Sequence, residues 1–329
     1  MKHLALLPLL ATLAFASCGK TDLVRVSSVD SDAGPADGGM DSEKYGLGPE
    51  CTGFNAVWGS GSNDVWAAGD CGLMAHFDGN SWSTVDVGVA YVNGLWGSSA
   101  SNMYAVGGLW HLSTDNWRQV ILDLEGGDWI EVVEGNDSWL LDISGSSADD
   151  VYVVGGEFYN FDGNAWQVIS GDYLDSVFAA EYQNVYVLQT SYLLEPKSDG
   201  QTVVGHYDGS EIMAIFETPM GEVLKEIWCS APDECIAVGC GSDALAYHLE
   251  DEGWTKQELP STPCLEAVWG LSGSDVIAVG WLTAIARYDG VAWTVWPANI
   301  LYNLRLTTTK YASQLFFVPD KTKIIEYGN

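Results

Sequence analysis

The segment Val57–Trp82, VWGSGSNDVWAAGDCGLMAHFDGNSW, decides the fold. It holds a Trp-Gly, an Asp-Val that opens an apolar run ending in Gly, and a Phe-Asp-Gly-x-x-Trp. The same skeleton returns along the chain. The Asp-Val step is matched by Asn102-Met103, Asp150-Val151, Asn184-Val185, Glu234-Cys235, Asp275-Val276 and a degenerate Gln314-Leu315. The mean interval is about 42 residues, the length of one four-stranded propeller blade.

Each step is preceded by a short apolar strand A (AVWG, GLWG, LDIS, SVFA, EIWC, AVWG) and followed by a strand B (VWAAG, MYAVG, VYVVG, VYVLQ, CIAVG, VIAVG). Strand C ends at Asp78-Gly79, Asp162-Gly163, Asp208-Gly209 or Asp289-Gly290. Asp-Gly is a strong hairpin signal, because Gly accepts positive φ and Asp bonds its own backbone. Trp82, Trp166 and Trp293 then open strand D, and a Trp fixed in each repeat is read as packing between blades. Seven four-stranded blades are expected, with six or eight as alternatives. The last one ends at Ile324–Asn329 without a strand D, so an N-terminal strand is expected to close the ring and cover the edge. Tyr45–Leu47 is the favoured donor and Leu23–Val29 the alternative.

The start of the chain reads as an export signal. Lys2 and His3 precede the apolar run Leu4–Ala16, which is too short to span a bilayer. Phe15-Ala16-Ser17-Cys18 resembles a bacterial lipoprotein box, which implies acylation of Cys18. Acyl chains anchor firmly, at about 0.8 kcal/mol per buried methylene. Phe15 departs from the usual Leu, so ordinary cleavage and free secretion is the alternative. The expected division is a leader over 1–17, a flexible acidic tether over 18–43 and a propeller over 44–329. The tether contains VDSDAGPADGGMDSEK, too poor in apolar residues to offset the entropy of ordering. The expected address is the outer membrane or surface of a bacterial cell, with periplasm-facing or secreted forms as alternatives.

Forty-five acidic and 13 basic residues give a formal charge of −32, which excludes nucleic acid as a partner because phosphates require Lys and Arg. Membrane contact is expected only through the lipid, and the protein is expected to be a monomer. Six cysteines remain after Cys18, and an exported chain oxidises them in pairs. Topology suggests Cys51–Cys71, Cys229–Cys235 and Cys240–Cys264.

The pattern VWG…DVxAxG…YDGxxW resembles bacterial WG-rich propellers of Kelch-like, Asp-box and tectonin type over roughly residues 51–329. The resemblance implies a propeller and leaves function open. Phe77-Asp78-Gly79-Asn80-Ser81-Trp82 is one residue shorter than an Asp box and lacks its leading Ser. A sialidase would need three clustered arginines, and this chain has only Arg25, Arg118, Arg287 and Arg305. Tectonin-like lectins keep a glycan in view.

Two departures from the repeat point to a face. If Trp117 opens strand D of blade two, the connection to blade three is long and acidic, with Asp123, Glu125, Asp128, Trp129 and Glu131. Blade four gains about ten residues between strands B and C, over 190–203. Both connections would leave the same side of the ring. Trp110, Asp123, Glu125, Asp128, Trp129, Glu131 and Trp281 are therefore the candidate ligand face. Aromatic rings beside carboxylates suit a sugar or a cation. No metal site or cofactor is expected, although calcium is the ion such acidic loops would accept.

No catalytic constellation is visible. His76 and His206 share one place in the repeat, and His111 has no partner at meaningful spacing. The expected function is a non-enzymatic module binding a protein or glycan. A lectin is the alternative, and a glycosidase or lyase would require paired buried carboxylates with raised pKa in the central funnel.

Overall fold

The computed structural model describes residues 54–296, except 62, 71, 88–90, 112–115, 136, 192–199, 251–252 and 282–283, together with the strands Thr12–Ser17, Lys20–Ser28, Leu304–Leu306, Gln314–Pro319 and Lys323–Gly328. Cys18, Cys51, Cys71 and the segment Tyr45–Leu47 lie outside the described residues.

Six antiparallel four-stranded sheets follow one another over residues 54–86, 91–134, 140–170, 176–217, 223–256 and 265–296. In each, the strands A, B, C and D pair in chain order, and each strand A lies beside strand A of the next blade. The architecture is a β-propeller.

The expected count of seven four-stranded blades is corrected to six. Gln314–Pro319 does not open a four-stranded meander. It lies in a five-stranded sheet of order Thr12–Ser17, Lys20–Ser28, Lys323–Gly328, Gln314–Pro319, Leu304–Leu306. The physical reason is pairing: Lys323–Gly328 has Gln314–Pro319 on one side and a strand from the other end of the chain on its other side, where a meander would set its own strand D. Lys323–Gly328 instead pairs with Lys20–Ser28, from Leu23 opposite Gly328 to Ser28 opposite Lys323. The paired segment overlaps Leu23–Val29, the alternative donor; the favoured Tyr45–Leu47 lies outside the described residues.

The core lies between blades. One apolar cluster joins blades one and two, the next joins two and three, and so on to five and six. Strand B contributes to both its neighbours. Val151 and Val153 face blade two, while Tyr152 and Val154 face blade four. Burial on both faces explains why strand B reads as an unbroken apolar run and not as an alternation.

The Trp-Gly pair works between blades. A Cβ on Gly97 would meet Trp58 Cζ2 at 2.9 Å, one on Gly145 would meet Trp96 Cζ2 at 2.5 Å, and one on Gly270 would meet Trp228 Cη2 at 2.7 Å. Each indole covers the glycine of the next blade, not its own. Strand A also bulges one residue after its start in five blades, beside Phe54, Val92, Leu140, Leu224 and Leu265. Their partners are Gly69, Gly107, Gly155, Gly239 and Gly280. A Cβ on Gly280 would come within 1.9 Å of the Cys264 carbonyl. Blade four lacks both the bulge and the glycine: Ser176 pairs Leu188 in plain register, followed by Gln189.

Candidate binding face

A four-strand meander puts its A–B and C–D connections on one rim and its B–C and D–A connections on the other. The two rims differ in kind.

The A–B/C–D rim is occupied by a repeated clasp. In the A–B turn, Ser98 donates to Asn102 Oδ1 at 2.7 Å, Ser146 to Asp150 Oδ2 at 2.5 Å and Ser230 to Glu234 Oε2 at 2.5 Å. The residue that opens strand B also grips strand C: Asp64 with His76 Nε2 at 2.7 Å, Asn184 with His206 Nε2 at 2.8 Å, Asp275 with Arg287 Nε at 3.0 Å. In the C–D hairpin, Asp78 Oδ1 accepts the N–H groups of Asn80 and Ser81 at 2.8 and 2.9 Å, and Asp162, Asp208 and Asp289 repeat this. These bonds hold the Asp78, Asp162 and Asp289 carboxyls below their usual range, and the Ser210 hydroxyl leads the same effect at Asp208. The aspartates are turn-makers, and His76 and His206 are scaffold.

The acidic stretch of blade two belongs to this clasped rim. Strand C runs Asn116–Glu125 and strand D runs Asp128–Glu134, joined by Gly126 and Gly127 at φ +63° and +102°. Glu125-Gly126-Gly127-Asp128-Trp129 is therefore this blade's C–D hairpin. The expected long D–A loop after Trp117 is corrected, because Trp117 lies in strand C. Trp129 fills the place of Trp82 and packs edge-on to Trp66 of blade one, with centroids 5.6 Å apart. Glu131 takes both terminal nitrogens of Arg118, at 2.6 and 3.2 Å. Burial and nearby Glu125 raise the Asp123 carboxyl.

Trp281 sits on the opposite rim, between strands B and C of blade six, and is 48% exposed. Trp110 lies near the end of strand B (Asn102–His111), towards that same rim; its side chain is outside the described residues. The proposed face is thus split: Asp123, Glu125, Asp128, Trp129 and Glu131 fall on one side, Trp110 and Trp281 on the other.

The B–C/D–A rim carries a ring cluster that the sequence does not reveal as one. Tyr91, Trp117 and Trp139, all half-buried, form one cluster with centroids 4.5–5.4 Å apart. A Cβ on Gly108 would lie 3.5 Å from Trp117 and 3.8 Å from Trp139. Tyr173 and Met220 are exposed on the neighbouring D–A connections. The Cys240–Cys264 disulfide ties the B–C loop of blade five to the start of blade six, as expected, and Trp281 N donates to the Cys264 carbonyl at 2.9 Å. The second expected disulfide, Cys229–Cys235, crosses the A–B hairpin of blade five. The inserted segment of blade four does join strands B and C, on the B–C/D–A side; its residues 192–199 are outside the described set.

Strands A line a central cavity of about 260 Å³, and a second of about 160 Å³ forms its mouth at the B–C/D–A rim. Asp142 and Glu226 face both. They occupy the same register position in blades three and five, where Ala56, Gly94 and Ala267 stand elsewhere. Asp142 Oδ1 accepts Ile143 N–H at 2.8 Å, and its Oδ2 accepts the Ser176 hydroxyl and Val177 N–H of blade four, both at 2.9 Å. Glu226 Oε2 accepts Val268 N–H of blade six at 2.9 Å. Burial raises Asp142, and burial followed by the Asp142 charge raises Glu226 well above the carboxylate range. An acid inside an otherwise apolar strand A, in LDIS and EIWC, was the signal that could have found them. Among the described residues no group of three or more His, Cys, Asp or Glu could hold a metal ion.

No family model matches the chain, and no curated protein matches it in sequence. Solved structures do. YCF48 bound to D1 peptide is similar at TM-score 0.62 and 12% identity, covering 85% of this chain and 95% of that one. YCF48 from Cyanidioschyzon merolae is similar at TM-score 0.61 and 12% identity, over 85% and 97%. The WD40 propeller domain of Doa1 is similar at TM-score 0.63 and 10% identity, over 84% and 93%. At such identities the likeness is one of fold, and it agrees with the β-propeller built above.

Proposed function

We propose that this chain is a non-enzymatic binding propeller that takes a protein segment on its B–C/D–A rim. The observation that carries the reading is the contrast between rims. One is tied by a clasp repeated in most blades, with Tyr182, Leu271 and Val291 exposed along it. The other presents exposed Tyr173, Met220 and Trp281, the Tyr91–Trp117–Trp139 cluster and an open channel mouth. Aromatic anchors around a concavity are what protein interfaces concentrate. That YCF48 has been seen bound to D1 peptide supports the same use of a similar ring.

The two channel carboxyls do not favour hydrolysis. Asp142 accepts the Ser176 hydroxyl and the Val177 N–H of the next blade, and Glu226 accepts the Val268 N–H of the next, so their first duty is to hold the ring. Acylation at Cys18 would place the propeller on the bacterial envelope, and the disulfides fit an oxidising compartment outside the cytoplasm. A glycan is the second reading, favoured by the three-ring cluster, since ring faces stack on sugars.

The test is selection of displayed peptides, and in parallel a glycan array, against the purified full-length chain with and without calcium. Selected peptides should lose at least tenfold in affinity on Trp281→Ala or Tyr173→Ala and remain unaffected by Glu125→Ala or Asp128→Ala. The opposite pattern overturns the assignment of the rim. Selective glycan binding without peptide binding replaces the first reading with the second.

A further inference from the structure

We propose that the channel mouth receives a guanidinium or ammonium side chain of the bound segment, with Glu226 as its principal acceptor. The inference rests on the B–C/D–A rim being the binding face and adds the chemistry of what enters it.

Asp142, Asp175, Glu226 and Glu266 line the mouth against a single described cation, Lys225. Charge alone would not define a site in a chain of net charge −32. The difference between the two innermost acids does. Both oxygens of Asp142 are taken by donors from its own blade and the next. Glu226 uses Oε2 for Val268, while among the described residues no donor reaches its Oε1. Among the described residues it is the one carboxyl lining both the mouth and the deeper cavity that keeps an unused acceptor. Burial and Asp142 make its ionised form costly, a cost that an incoming cation offsets.

The space fits the same ligand. A mouth of about 160 Å³ opening into about 260 Å³ admits a side chain and not a strand. Beyond the acids the wall carries Trp96, Trp228 and Trp269, apolar surface for a methylene stem. The acids come from different blades and form no ligand cluster for a metal, which suits a spread-out organic cation.

The probe is acetyl-Gly-Arg-Gly-amide, compared with the same peptide carrying neutral citrulline. Binding is read by tryptophan fluorescence and by calorimetry at pH 6 in two buffers of different ionisation heat. The arginine peptide should bind at least tenfold tighter, and its heat should differ between buffers because Glu226 releases a proton. Glu226→Gln should abolish the preference and the proton release, with folding checked by circular dichroism. Lys225→Met should tighten binding several-fold, an effect that a damaged fold would not give. Equal affinity for the two peptides overturns the proposal. So does an arginine preference that survives Glu226→Gln. Rim-selected peptides that depend on Trp281 but ignore Glu226→Gln would leave the binding rim standing and remove the cation pocket.

Discussion

The indole of Trp96 covers the α-carbon of Gly145 in the following blade, so closely that a Cβ there would sit 2.5 Å from Cζ2 and 2.7 Å from Cη2. The Trp-Gly motif is a contact between successive repeats. Its two halves belong to different interfaces, and the ring is stable only as the sum of such contacts.

Gly145→Ala should therefore destabilise the propeller by about 1–3 kcal/mol through overpacking against a ring walled in by two blades. Gly61→Ala, where nothing lies within 4 Å of the new Cβ, should change stability by under about 0.5 kcal/mol. Urea unfolding midpoints of the two variants check the contrast.

Blade four shows how far such local rules could be read. It has Phe178 in place of Trp, Ala179 in place of Gly and Gln189 in place of the strand-B glycine, and it also lacks the bulge. Sequence reading placed its strands correctly, because the apolar runs and Asp208-Gly209 sufficed. Blade two misled it. Trp117, a strand-C residue, stands in for the strand-D tryptophan in sequence because Glu125-Gly126-Gly127-Asp128 departs from Asp-Gly-x-x. A hairpin thus became a loop, and five candidate residues moved to the wrong rim. The blade count failed for another reason: Gln314-Leu315 matches the repeat locally, but strand pairing with Lys20–Ser28 is set by long-range register. Asp142 and Glu226 are legible only as acids that interrupt the apolar strands A in LDIS and EIWC; which side of the strand faces the channel is set by the ring.

Those two acids should respond differently to amide replacement. Glu226→Gln keeps an oxygen for Val268 and removes a buried ionisable group. Its folded pKa is raised, so its favourable contribution is present below the unfolded carboxyl value and is lost as pH rises through the folded one. The variant should be more stable than wild type at pH 7–8, and the gap should close near pH 4. Thermal unfolding across that range reads it.

Asp142→Asn should instead destabilise at every pH. Both oxygens accept bonds, and an amide nitrogen would face an N–H or hydroxyl donor. A buried unsatisfied donor costs about 1–3 kcal/mol. A stability equal to wild type at pH 7 would remove Asp142 as a tie between blades three and four.

The disulfides should rank by the chain they close. Cys240 and Cys264 are 24 residues apart, Cys229 and Cys235 only six. The double variant Cys240→Ser/Cys264→Ser should lose about 3 kcal/mol, roughly 1 kcal/mol more than Cys229→Ser/Cys235→Ser on the loop-entropy argument. Guanidinium denaturation of each double variant decides the order.

The proposed binding requires the B–C/D–A rim to be the face that meets the partner. Hydroxyl-radical footprinting of the full-length chain with and without a selected peptide addresses this directly, because oxidisable residues are exposed on both rims. Tyr173, Met220 and Trp281 stand on one, Tyr182 and Leu271 on the other. The prediction is protection of the first three, with Tyr182 and Leu271 oxidised as fast as in the free chain. Protection of Tyr182 and Leu271, with Trp281 unchanged, would place the partner on the clasped rim and contradict the account.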